Sequence, residues 1–247
     1  MTSESLDFAR LVKLTRQMAH DIRSPLGAIS ATADMFVHGG YGELSPKQDR
    51  AAHRIKRASR RSMVLLDDFM TYVKAEAHQL PLDIRPFNPQ SLLAKLHNTV
   101  LPDAQAKGLN VHLSGLDDLP PLLDGDEALI RRMVLVLLWN AISFSEQGEI
   151  SLLSQWDAVN AVWTIKVSDE GTGIAPEHVP HIFEPLWRGA ESSQSQTSGY
   201  GIGLAMAQAL ARLMNGELTL DKTGPEGSLF CLRLPLQYHL TPNAIPR

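Results

Sequence analysis

Val167-Ser168-Asp169-Glu170-Gly171-Thr172-Gly173-Ile174 is the stretch that decides how the second half of this chain folds. An alternating apolar run ends in an acid, and two glycines follow. Such a run reads as a strand that delivers a carboxylate to a loop whose backbone other groups can approach closely. A carboxylate there can accept a hydrogen bond from an exocyclic amine such as that of adenine. The bland alternative is a simple strand-to-loop turn. Upstream, periodicity predicts helices over 89–107 and 126–145 and strands over 109–113, 121–124, 149–156 and 161–168. Downstream, a polar stretch leads to Gly199-Tyr200-Gly201-Ile202-Gly203-Leu204, which opens a helix over 203–215. Strands over 217–222 and 228–236 follow, joined through Gly224-Pro225-Glu226-Gly227. This order predicts a mixed sheet with helices covering one face.

Glycines at a helix N-terminus leave free N–H groups and the positive dipole end, which suits a phosphate; the alternative is a flexible hinge. The spacing is Gly-x-Gly-x-Gly, which is not the dinucleotide fingerprint. No Gly-Lys-Ser/Thr step of a P-loop occurs either.

The first 79 residues have a different period. Leu11, Leu14, Met18, Ile22, Leu26, Ile29, Ala33 and Phe36 recur at steps of three or four, the signature of one helix face. Gly39, Gly40 and Gly42 end that helix; Ser45 caps the next, with Pro46 at its first position. Ile55, Ser62, Leu66, Phe69 and Val73 then mark the inward face of a second helix. Two long amphipathic helices joined by a short loop make an antiparallel hairpin that cannot cover its own apolar stripe. The expectation is a homodimer with a four-helix bundle. Three prolines between Pro81 and Pro89 read as a linker over 81–88.

Composition excludes several classes. A net charge of −4 gives no electrostatic reason to expect nucleic acid or an anionic membrane as partner. A single cysteine, Cys231, excludes an internal disulfide and a Cys-rich zinc site, and its apolar neighbours suggest burial. No run approaches the ~18–20 apolar residues that span a bilayer, and no secretory signal opens the chain. These features predict a cytoplasmic protein without direct membrane insertion. The short stretch before His20 leaves no room for a sensor, so input is expected from a separate sensor protein, unless the chain is a fragment.

His20 lies two residues from both Met18 and Ile22, about 200° round a helix, and therefore faces solvent. Asp21 is placed to hold one ring proton, leaving the other nitrogen as nucleophile. Arg23 adds positive charge for an incoming phosphate, and Pro25 bends the helix just beyond.

His20-Asp21-Ile22-Arg23-Ser24-Pro25-Leu26 resembles the phosphoacceptor box of two-component sensor histidine kinases. The second half resembles the ATP-binding domain shared by histidine kinases, gyrase-type topoisomerases, Hsp90 and MutL. The resemblance runs in order along the chain. Trp139-Asn140-Ala141 matches the asparagine motif, with Asn140 as a Mg²⁺ ligand. Asp169, Gly171 and Gly173 match the first glycine box. Ile182 to Gly189 match the phenylalanine box, with Phe183 at the nucleotide and Arg188 at the γ-phosphate. Gly199, Gly201, Gly203 and Leu204 match the second glycine box, and residues 190–198, rich in Ser and Gln, would form a lid that orders on ligand.

The resemblance implies an α+β chain. A dimerisation and phosphoacceptor domain occupies 1–80, a Bergerat-type α/β sandwich 89–238 and a tail 239–247. It also implies ATP and Mg²⁺ as cofactors, phosphorylation of His20, and transfer to an aspartate of a response-regulator receiver domain. Ser24 stands where many relatives use Thr or Asn in dephosphorylating that partner.

The asparagine motif departs from the family. Val136 replaces a second Asn, Trp139 an acid and Ser143 a Lys. These losses leave an alternative open: a catalytically weak or pseudokinase module that binds nucleotide and receives phosphate from another protein. An ATPase clamp is a third class, but it does not account for the His20 box. The basic run His53 to Arg61 reads as a solvated helix face, with an acidic partner or nucleic acid as the alternative. His178 and His181 lack a third metal ligand and read as surface histidines.

Overall fold

The computed structural model describes residues 3–188 and 200–239. The chain divides into two compact units, residues 1–80 and 81–247.

The first unit is a helical hairpin, α1 (Ser3–Val37) and α2 (Pro46–Glu76). Its turn uses two left-handed glycines, Gly39 at φ 77° and Gly42 at φ 90°. The start of α2 is a full capping box. The Gln48 N–H donates to the Ser45 hydroxyl, and the Ser45 N–H donates to the Gln48 side chain at 2.9 Å. α1 runs on past Pro25, which has no N–H to donate to the turn before it.

The seam between the helices is made mostly of short side chains, with Met70 the longer exception among the described residues. Val12, Ala19, Ser30 and Ala33 of α1 are buried, as are Ala52, Ser59, Met70 and Ala75 of α2. The Ser59 hydroxyl donates to the Leu26 carbonyl at 2.7 Å, satisfying a polar group inside the seam. This differs from the face read in the sequence. Leu14, Met18, Ile22, Ile29, Phe36 and Ile55 are all exposed in the single chain, and Leu26, Ser62, Leu66, Phe69 and Val73 are half-buried. The Leu11 side chain lies outside the described residues. Two helices in contact bury only a narrow strip of each. Small residues take that strip, and the wider apolar row is left facing outward. Among the described residues, no helix is long and apolar enough to cross a membrane.

In the second unit β1 (Arg85–Phe87) is followed by α3 (Pro89–Ala106), β2 (Asn110–Ser114), β3 (Leu123–Gly125) and α4 (Glu127–Phe144). Then come β4 (Glu149–Asp157), β5 (Val162–Asp169), α5 (Gly203–Leu213), β6 (Glu217–Gly224), β7 (Gly227–Pro235) and β8 (Gln237–Tyr238). The main sheet has the order β2-β4-β5-β7-β6; β2 and β4 are parallel and the other pairs antiparallel. A second, three-stranded sheet has the order β1-β3-β8.

The segment over 81–88, read as a linker, thus contains a strand. β1 pairs with β3, and Phe87 is buried with its ring 5.9 Å from that of Trp163. Its three residues are too few to show a period, and prolines around them masked the signal.

Alternation decides which face of the main sheet is covered. Ile150, Leu152 and Ser154 of β4 and Trp163, Ile165 and Val167 of β5 all point inward. Against them packs α4, flanked by α3 over β2 and by α5 over β6 and β7; the buried rows of these helices include Leu92, Leu93, Leu96, Ile130, Met133, Leu137 and Met206. Trp163 is wholly buried, and its indole N–H donates to Ser154 Oγ at 2.8 Å, so no donor is stranded. Cys231 is buried on β7, and desolvation raises its thiol above the usual range.

Candidate functional site

On α1 the His20 side chain is 80% exposed. Its Nδ1 lies 3.3 Å from Asp21 Oδ1, which favours the tautomer with the proton on Nδ1 and a lone pair on Nε2. Ser24 is exposed one turn further on. Arg23 is engaged across the hairpin: its Nη2 donates to Asp67 Oδ1 on α2 at 2.5 Å. Its charge beside His20 is therefore largely offset, an arrangement invisible in the local sequence because Asp67 is remote. Below it, Asp34 pairs with Lys56 and Arg60, and the bond from Lys56 holds its carboxyl below the usual range.

In the second unit Asp169 ends β5, between β4 and β7. Its Oδ1 accepts from Gly171 N–H at 2.9 Å and Ser228 N–H at 3.3 Å. Burial raises its carboxyl above the ordinary value, and those two N–H groups pull in the opposite direction. The loop behind it is closely backed. A Cβ on Gly171 would stand 2.5 Å from the Phe144 carbonyl oxygen at the end of α4. Gly173 has φ +68°, and a Cβ there would stand 1.9 Å from the Gly224 carbonyl oxygen. Ile174 N–H donates to Thr223 Oγ1 at 2.8 Å, fixing the same loop to β6. Ser228 and Thr223 belong to this site, yet nothing in local spacing marks them; only strand pairing brings them to Asp169.

The first turn of α5 has Ile202 at its cap, with no side-chain capping bond among the described residues. A Cβ on Gly203 would lie 3.2 Å from Val136 Cγ1, so the glycine lets the start of α5 approach α4. Asn140, half-buried and four residues beyond Val136, shares that face of α4; Leu204 is half-buried in the first turn of α5. Gly201, at φ +74°, receives the Leu186 N–H on its carbonyl at 2.9 Å, which joins the phenylalanine-box segment to the glycine turn.

Phe183 packs edge-on to Phe230, with ring centroids 6.5 Å apart, and lines a cavity of about 300 Å³ with Gln208, Arg212 and Leu218. The structure thus gives it a packing role. Arg188 is exposed and is the last residue described before position 200. Gly199, Gly189, the expected lid over 190–198 and the tail from 240 lie outside the described residues. His178 and His181 flank the Trp187 ring at 5.2 and 6.1 Å, and His181 binds Glu184. No cluster of three or more His, Cys, Asp or Glu able to hold a metal occurs among the described residues. Asn140 would offer its side-chain oxygen as a ligand on this face of α4. That fits Mg²⁺, which keeps waters and phosphate oxygens as most of its ligands.

The fold and these two clusters define a class: a hairpin displaying a histidine, then a sandwich with an acid–glycine loop. Residues 10–78 match the His Kinase A (phospho-acceptor) domain. Residues 125–238 match the histidine kinase-, DNA gyrase B- and HSP90-like ATPase family. The chain belongs to the sensor histidine kinases of two-component signalling.

Sensor protein TorS of Escherichia coli (strain K12) is 31% identical over 227 residues, which are 91% of this chain and 24% of that protein. Sensor protein GacS of Pseudomonas syringae pv. syringae is 30% identical over 237 residues, 94% of this chain and 26% of the relative. The chain thus spans about a quarter of the length of these curated relatives. In fold it resembles full-length ShkA, crystallised in complex with AMPPNP, at a TM-score of 0.79 and 23% identity, covering 93% of this chain and 47% of that one. The histidine kinase AdeS of Acinetobacter baumannii gives a TM-score of 0.61 at 20% identity, covering 87% and 97%.

Proposed function

We propose that this chain is the catalytic core of an ATP-dependent protein-histidine kinase, and that it phosphorylates His20 and passes the phosphoryl group to an aspartate of a response-regulator receiver domain. The observation that carries the reading is the exposed imidazole of His20, its Nδ1 side engaged by Asp21. It occurs in a chain whose second unit holds a half-buried carboxylate beside a glycine-backed loop.

In this reading Asp169 accepts the adenine amine, and the loop from Gly171 to Gly173 lies along the base. The N–H groups opening α5 at Gly203 and Leu204 bind phosphate oxygens, with Gly199 and Arg188 completing the cradle. Asn140 holds Mg²⁺, which offsets phosphate charge when bound. The lone pair on His20 Nε2 attacks the γ-phosphorus, and the bond from that phosphorus to the bridging oxygen of ADP breaks. The Nδ1 proton, no longer held by a neutral ring, is shared with or lost to Asp21. Positioning and charge neutralisation carry most of the rate enhancement.

Transfer to the receiver aspartate restores the imidazole, and the Ser24 hydroxyl would orient the water that later hydrolyses the aspartyl phosphate of that partner. The outward apolar row of α1 supports a homodimer through the hairpin. We place the reaction in the cytoplasm, with a sensor supplying the input.

The test is incubation of the purified chain with γ-labelled ATP and Mg²⁺, then addition of a receiver domain. Wild type takes acid-labile label and passes it on, whereas His20→Ala takes none. Label of equal amount on His20→Ala would reject the assignment.

A further inference from the structure

We infer that Lys107 is a positioning residue for the nucleotide site, acting through the last turn of α4. The inference rests on the nucleotide reading above and assigns a role to a residue outside every motif of the sequence. Lys107 is the C-cap of α3, 36 residues from Ser143. Its ammonium donates to the Ile142 carbonyl at 2.7 Å and lies 3.3 Å from that of Ser143. The last carbonyls of a helix have no partner within it and carry the negative end of its dipole, so a cation placed there binds two of them at once.

The neighbouring carbonyls are also occupied. Ala141 receives the Ser145 N–H at 3.1 Å, and Phe144 receives the Thr172 N–H at 3.4 Å. The turn is therefore held on both sides, by Lys107 from α3 and by the loop that follows Asp169. The same turn follows directly on Asn140. A shift of that turn moves the Phe144 oxygen, against which Gly171 is packed with no space for a methyl group. Lys107 thus fixes the backing of the adenine loop and the position of Asn140 together, without touching the nucleotide. The α4 C-terminus has no basic residue of its own in its last turn, so the cation comes from another element.

The experiment compares wild type, Lys107→Met, Lys107→Gln and Lys107→Arg in the full chain. Thermal melts establish folding, and titrations with ATP and with adenosine measure binding. Lys107→Met is expected to weaken ATP and adenosine alike, by about fivefold to tenfold. The KM for ATP in His20 labelling should rise by the same factor, with kcat within about twofold. Lys107→Arg should restore affinity to within about twofold. Lys107→Gln, neutral but polar, should shift binding in the same direction and keeps the test readable if the Met variant does not fold.

A folded Lys107→Met or Lys107→Gln that binds ATP as wild type does overturns the inference. Loss confined to ATP, with adenosine unaffected, also overturns it in favour of direct phosphate contact. Failure of wild type itself to bind ATP or adenosine refutes the nucleotide reading, and the role of Lys107 with it.

Discussion

Replacing Gly173 by Ala tests the backing of the adenine loop directly. The residue sits at φ +68°, where an L side chain costs roughly 1–2 kcal/mol. The added Cβ would also stand 1.9 Å from the Gly224 carbonyl oxygen, 2.7 Å from its carbon and 3.0 Å from its nitrogen. All three are backbone atoms, so no rotamer change relieves the overlap. The end of β6 must retreat by more than an ångström, pulling on the Thr223 bond to Ile174 and on the hairpin that brings Ser228 to Asp169. Strain and lost bonds together should cost about 3 kcal/mol.

For a unit of this size that is a fall in melting temperature of roughly 6–12 °C. Nucleotide affinity should drop at least about tenfold, since a misplaced loop acts on binding as well as stability. Melts followed by circular dichroism and titration with a fluorescent ATP analogue measure both. Gly224→Ala is the control, because a Cβ there meets nothing within 4 Å. If Gly173→Ala melted and bound like Gly224→Ala, the close approach of loop and strand would be refuted.

Three further outcomes follow from the same site. Because burial raises the Asp169 carboxyl, folding gains a proton-linked contribution that is present at acid pH and lost as pH rises through the raised value. Asp169→Asn should therefore melt no lower than wild type at neutral pH without nucleotide, with the difference closing on acidification; a melting gap constant with pH would contradict this. Nucleotide binding to wild type should weaken as pH falls through that same raised value, in a titration that keeps ionic strength constant. Val136→Asn with Ser143→Lys should raise the rate of His20 labelling, by about tenfold per position if each restores a phosphate-side contact; an unchanged rate would show that these positions do not limit turnover.

Much of this architecture was legible because period and burial coincide. The helix over Glu127–Phe144 buries Ile130, Met133, Leu137 and Ala141 at helical steps, and β5 buries every second residue from Trp163 to Val167. Capping at Ser45 followed from its own neighbours. Features set by distant chain were not legible. β1 exists only because β3 pairs with it, and Arg23 is tied to a residue on the other helix. The hairpin was predictable, but its seam was not. Period alone locates the apolar row; the contact strip is chosen by which side chains are short enough for the helices to approach. The cluster round Asp169 divides in the same way. Its acid and glycines stand together in sequence, while Ser228, Thr223 and Phe144 arrive through the sheet and the end of α4.

The position of β7 inside the main sheet has a consequence for synthesis. Within the second unit it is among the last strands to leave the ribosome, yet it lies between β5 and β6 and brings Ser228 to Asp169. Until it emerges, β5 has one unprotected flank and the carboxylate lacks one of its two backbone partners. Nucleotide can therefore begin to stabilise the nascent second unit only when almost all of that unit has been made, and chains stalled before residue 227 should resist rescue by ATP.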